Sequence, residues 1–286
     1  MALSIQSNMA SMSIQNQLGR SNDSLSTALE RLGSGFRINS AKDDAAGLQI
    51  ASRLNAQVKG QEAGIYNGNN AMSMMQTAEG AFDEMTNIAY RMKELATQGA
   101  SDANGTTEWA AQSAEYTALA AELDSIMDNT SFGGTGLFND AVVGPPAIDA
   151  GKFTASVSFQ VGSSTAETLA VDVSTEVGDV KTAIGTAAAF TSVATAQAEL
   201  AKVDTIISDI GAARSSLGAS MNRLEHTMTN VTNMKENTQA ASSTLMDADF
   251  AAETSNMTKQ QLLMNSGISV LSTANSTTQM IGSLLN

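Results

Sequence analysis

Apolar residues recur along much of this chain at alternating steps of three and four, the spacing that keeps side chains on one face of an α-helix. Met75, Ala78, Phe82, Met85, Ala89, Met92 and Ala96 hold this beat. Trp109, Gln112, Tyr116, Leu119, Leu123 and Ile126 hold it again. So do Leu200, Val203, Ile207, Ile210, Arg214, Leu217, Met221, Leu224, Met228 and Val231, with one polar member. Three such seams predict a bundle of long helices crossing at a shallow angle. A helix over residues 70–99 would run roughly 45 Å at about 1.5 Å per residue, so the pattern predicts a rod.

The two ends carry the same stripe with one difference: residues 1–19 and 260–286 contain no charged side chain. Ile14, Leu18, Leu25, Ala28 and Leu32 form one seam, with Ser21 filling it. Met257, Met264, Ile268, Leu271 and Leu285 form the other. A narrow apolar stripe needs a partner helix, because an isolated short helix is marginal in water. The expectation is that the ends find each other and neighbouring molecules, with Leu18, Leu25, Leu32, Ile268 and Leu271 as the polymerisation contacts.

The middle changes period. Phe153, Ala155, Val157, Phe159 and Val161 alternate with polar neighbours, and so do Leu169, Val171 and Val173. Period two predicts strands, here one hairpin between residues 150 and 176 with Gly162–Thr168 as its loop. Residues 129–148, with Gly133, Gly134, Gly136, Pro145 and Pro146, read as loop. The first helix is expected to stop near Leu32, before Gly33, Ser34 and Gly35, and Ser40 is expected to cap the next one, with Asp43 and Asp44 in its first turn.

Composition narrows the function. Charged residues make up 15% of the 286 and aromatics 4%, against roughly 25% charged in an ordinary soluble domain. Small polar side chains fill the difference, which favours helix seams over a thick core. A net charge of −14 argues against nucleic acid and anionic membrane surfaces. No apolar run reaches the ~18 residues of a membrane span. There is no cysteine, and the first residues lack a basic signal-peptide start, so an extracellular role implies export by another route.

No constellation suggests chemistry. Lys42, Asp43 and Asp44 are adjacent, and adjacent helical side chains point apart, which favours capping and salt bridging over a metal or acid–base site. Asp247 and Asp249 splay likewise and read as a connector. His226 stands alone, without a nucleophile or ligand partner. Ser131–Gly136 lacks the Gly-Lys-Ser/Thr ending of a phosphate loop. No catalytic, cofactor-binding or metal-binding residue is expected, and no cofactor.

The block RINSAKDDAAGLQIASR, Arg37–Arg53, resembles bacterial flagellin closely. The likeness continues through LSTALERLGSGF (Leu25–Phe36), QTAEGAFDEM (Gln76–Met85), FQVGSSTAETLAV (Phe159–Val171) and MDADFAAETSNMTKQQLL (Met246–Leu263), in the family's order. One departure is Thr278–Gln279, followed by Gly282, where many members carry Pro-Gln. The resemblance implies a mainly α fold: a long coiled-coil-like helical rod with paired terminal helices and a small β-hairpin region. Residues 1–40 with 247–286 would form an inner domain and 41–246 a rod domain, with no large outer domain. It implies a structural, non-enzymatic subunit that is exported unfolded by the flagellar type III apparatus and assembles with itself into the extracellular filament for motility. Implied partners are other copies in a helical homopolymer, a secretion chaperone at the C-terminal segment, the filament cap and hook-junction proteins. The alternatives are a hook–filament junction protein and a non-polymerising coiled-coil adaptor. The stretches Tyr90–Gln98 and Ala120–Ile126 resemble the family's contact region for Toll-like receptor 5. By that match Arg91, Leu95 and Glu122 would be receptor-recognition residues, with Arg91 and Leu95 expected to face away from the core seam.

Overall fold

The computed structural model describes residues 7–139 and 150–284. Six α-helices dominate them: α1 Met9–Ser34, α2 Ala45–Gly99, α3 Thr106–Asn129, α4 Ser174–Gly185, α5 Val193–Met246 and α6 Phe250–Leu284. Two small antiparallel hairpins accompany them, β1 (Ser131–Phe132) with β2 (Thr135–Gly136) and β3 (Val157–Gln160) with β4 (Thr168–Val171). The fold is mainly α, with paired terminal helices and a small β region. Pro145, Pro146 and Leu285, each read above, lie outside the described residues. The chain divides into two compact units, Met1–Gln57 with Glu236–Asn286, and Val58–Lys235.

In the first unit α1 packs along α6. The two run antiparallel: Asn8 Nδ2 donates to the carbonyl of Ala274 at 3.1 Å, and Arg31 pairs with Glu253 at 3.0 Å. Ser11, Ile14, Leu18, Ser21, Leu25, Ala28 and Leu32 of α1 are all buried or half-buried. That is the predicted seam, extended one step by Ser11. The break falls where the glycines place it. Gly35 adopts φ 76°, a left-handed conformation that favours glycine, and its N–H donates to Arg31.

Ser40 does not cap α2, contrary to expectation. It belongs to a turn folded around Asp43, whose Oδ2 accepts from the N–H groups of Asn39 and Ser40 and the Ser40 hydroxyl. The cap is Asp44, whose Oδ1 accepts from Gly47 N–H at 2.8 Å while its carbonyl accepts from Leu48. This connector pairs with the one before α6: Phe36 bridges Asp247, Arg37 N–H donates to Met246, and Ala248 N–H donates to Gly35. Asp249 then caps α6, accepting from Ala251 and Ala252.

In the second unit the buried stripe of α2, from Ala71 through Met75, Phe82, Met85 and Met92 to Ala96, packs with α3 and α5 in one core. The α2 seam is buried at every position predicted. On α5 the centre of the stripe is Val203, Ile206, Ile210, Ala213, Leu217, Ser220 and Leu224, so Ile207, Arg214 and Met221 flank it. Arg214 therefore reaches sideways to Glu79 and Asp83 on α2, at 2.8 and 3.0 Å. Lys93 with Asp204 and Glu62 with Lys235 extend the same antiparallel pairing.

The β3–β4 hairpin lies where the period-two pattern predicts, with Phe159 opposite Leu169 and Val157 opposite Val171. Phe153 is not its first strand residue. It sits in a 3-10 turn, Lys152–Thr154, with its ring 6.2 Å from that of Phe138, itself 4.7 Å from Phe82. The stretch 131–136 is also more than loop. Gly133 and Gly134, at φ 60° and 82°, make the two-residue turn of the first hairpin.

Candidate assembly and recognition surfaces

Each helix of the terminal pair closes one face on the other and leaves the rest open. Leu18, Leu25, Leu32 and Leu271 are partly buried in the seam. Ile268 is not in it: it is 56% exposed. The seam of α6 runs Glu253, Met257, Gln260, Met264, Gly267, Leu271 and Ala274. Gly267 holds the position next to Ile268 because Leu18 presses on it, and a Cβ there would lie 2.8 Å from Leu18 Cδ2. A glycine carries no hydrophobic signal, so sequence spacing drew Ile268 into a place that the backbone of Gly267 occupies.

Large apolar side chains cover the outward faces. Met9, Met12 and Leu29 on α1, and Phe250, Leu262, Leu263, Ile268, Val270 and Met280 on α6, are all exposed. Sequence spacing did not single out most of these residues. The available signal was the absence of charge on every side of α6 from Gln260 onward, which marks a helix segment buried on several sides in its working state. An exposed apolar surface of this extent marks an interaction site.

In the second unit Arg91 is exposed, as expected. It donates through Nη2 to Glu115 on α3 at 2.8 Å and through Nη1 to Glu94 at 2.9 Å. Those hydrogen bonds, Glu94 first, raise its pKa further. Glu122 is exposed and lies seven residues beyond Glu115, on the same face of α3. Leu95 corrects the expectation: it is only 2% exposed. The buried stripe is two columns wide here, since Leu95 and Ala96 are both core members. A seam read as one residue wide leaves Leu95 outside; packing on two sides of α2 takes it in.

Among the described residues no three His, Asp or Glu side chains are grouped to hold a metal ion. None of the described helices is long and apolar enough to cross a membrane. His226 is exposed on α5.

Paired terminal helices with exposed apolar faces, together with a helical and small-β middle, define a mainly helical protein. The profile described as bacterial flagellin N-terminal helical region matches residues 5–142, and that described as bacterial flagellin C-terminal helical region matches 200–285. The chain belongs to the bacterial flagellin family. It is 43% identical over 175 residues to polar flagellin F of Vibrio parahaemolyticus, covering 61% of this chain and 43% of that one. It thus spans less than half the length of the curated relatives it matches. It also matches the crystal structure of Bacillus cereus flagellin at 30% identity, covering 62% of this chain and 94% of that one, with a TM-score of 0.49. A putative flagellar hook-associated protein from Vibrio parahaemolyticus shares the fold at 14% identity and a TM-score of 0.55, covering 71% of this chain and 99% of that one.

Proposed function

We propose that this chain is a structural subunit of the bacterial flagellar filament, polymerising with other copies of itself outside the cell and catalysing no reaction. The observation that carries the reading is the α1–α6 pair, closed along one seam and apolar and uncharged on much of the rest. Such a surface is costly in water and is stabilised when neighbouring copies cover it. Residues 1–40 with 247–286 would form the inner wall of the tube, and 41–246 the layer around it. The 14% likeness to a hook-associated protein speaks for the fold alone and does not favour a junction role.

The same apolar α6 face is the natural hold for a secretion chaperone before export, and the filament cap and hook-junction proteins would meet the same terminal helices. Recognition by Toll-like receptor 5 is proposed for the face carrying Arg91 and Glu122, with Leu95 acting from the core as their support. The test of the main reading is seeded polymerisation. Purified chain added to short filament seeds should pellet as long fibres; a discrete soluble complex under the same conditions would support an adaptor instead.

A further inference from the structure

The apolar pattern of the α1–α6 pair repeats every seven residues, so on its own it specifies the pairing only to within one heptad. A slip of seven residues would move one helix about 10 Å along the other and still set stripe against stripe. Aperiodic features must choose, and at the connector end the backbone pairing of residues 35–37 with 246–248 is one of them; within the helices themselves a side chain is needed. Gly267 is not sufficient. Leu18 fills the notch it leaves, but a one-heptad slip would bring Leu25 into the same place.

We infer that the Arg31–Glu253 ion pair is the side-chain register lock of the terminal helix pair, acting beside the connectors' backbone pairing. Arg31 Nη1 donates to Glu253 Oε1 at 3.0 Å. Glu253 is only 8% exposed, and a carboxylate so buried is costly without a cation. Arg31, its side chain 29% exposed, makes its one side-chain hydrogen bond among the described residues to Glu253. The other charges of α1 and α6, Arg20, Asp23, Glu30 and Lys259, are all exposed and can follow a slip in water. After a slip in one direction Arg31 would face Gln260, and in either direction Glu253 would lose its cation. The pair also suits the helix ends, because Arg31 lies in the last turn of α1 and Glu253 in the first turn of α6. It thus does for an antiparallel pair what a single buried polar residue does for a coiled coil: it gives up some stability and removes the alternatives. Its consequence for the filament rests on the function proposed above, since a slipped copy would not match its neighbours.

The chain has no cysteine, so introduced pairs report register directly. One heptad along from the Leu18–Gly267 contact, Leu25 comes opposite Gln260. In full-length monomer under mild oxidation, Leu25→Cys with Gln260→Cys should cross-link efficiently. Leu32→Cys with Gln260→Cys and Leu18→Cys with Gln260→Cys, the two slipped pairs, should not. Adding Arg31→Glu should lower the native cross-link and raise a slipped one severalfold, and adding Glu253→Arg as well should restore the native pattern. An unchanged native yield with Arg31→Glu would overturn the inference. So would a loss of every cross-link that the double exchange does not rescue. Pelleting on seeds is read separately, so a parent chain that cross-links in register and does not polymerise would count against the filament reading alone.

Discussion

Buried charge in the second unit is concentrated at Glu199. Its carboxylate, 4% exposed, accepts from the Tyr116 hydroxyl at 3.1 Å, the Ala188 N–H at 3.0 Å and Lys202 Nζ at 2.6 Å. Burial, then the nearby Glu199 charge, pushes the Tyr116 hydroxyl well above its ordinary pKa, so it stays a donor. Glu199→Ala strands that hydroxyl and the Ala188 amide, and should cost about 3–5 kcal/mol in denaturant unfolding. A loss within experimental error would show that the knot is not structural. Asp43 offers a different test. The hydrogen bonds from Ser40, then those from Asn39, hold its carboxyl below the usual range. A lowered folded pKa means that its contribution is present above the unfolded value and lost as pH falls through the folded one. Acidification below the ordinary carboxylate range should lower the protection of the Ser40 amide, its exchange rate measured against that of a free amide at the same pH. Asp43→Ala, which removes the acceptor, should abolish that protection even at neutral pH and with it the acid-induced loss.

At the scale of elements, glycines show how close the backbones come. The tip of the β3–β4 hairpin presses on α2, and a Cβ at Gly64 would lie 2.5 Å from the Val161 carbonyl oxygen, while Asn67 donates to Gln160. Gly80, on the same helix, faces open space. Gly64→Ala should therefore destabilise by about 1–3 kcal/mol through overpacking, whereas Gly80→Ala should stabilise by about 0.5–1 kcal/mol through lost chain entropy. Thermal unfolding of the two variants decides it, and equal shifts would contradict the docking. The elements were legible wherever the period was long: the α1 seam and the α2 stripe follow from steps of three and four alone, and of the α6 seam so do Met257, Met264 and Leu271. What spacing could not supply was a glycine serving as a seam residue at 267, a stripe two columns wide at Leu95, and strands of two residues at 131–136. In each case a neighbour's geometry decides, and one chain's hydrophobic pattern does not encode it. Ser40 and Asp44 show the same limit among caps. Both are good capping residues, and the hydrogen bonds to Asp43 decide between them.

At the scale of the whole molecule, the proposed recognition and assembly surfaces separate by residue. Arg91 and Glu122 are exposed in the second unit, so Arg91→Ala with Glu122→Ala should lower receptor activation by monomer and leave the unfolding midpoint nearly unchanged. Leu95→Ala should cost about 2–5 kcal/mol, because it empties a buried site, and any signalling lost with it reports folding rather than contact. An unaltered response from the Arg91–Glu122 double variant, correctly folded, would remove those residues from the proposed surface. Assembly is proposed for the terminal pair. Ile268 distinguishes an inner seam from an outward assembly face, because it is exposed in the single chain and apolar on a helix that carries no charge beyond Lys259 along its C-terminal part. The most direct measurement is seeded sedimentation of Ile268→Asp beside the parent, with circular dichroism of both monomers. If the outward faces drive polymerisation, the variant keeps parental helicity, because its charge meets water in the monomer, and does not pellet as fibres. Parental helicity with parental fibre yield would place the assembly surface elsewhere.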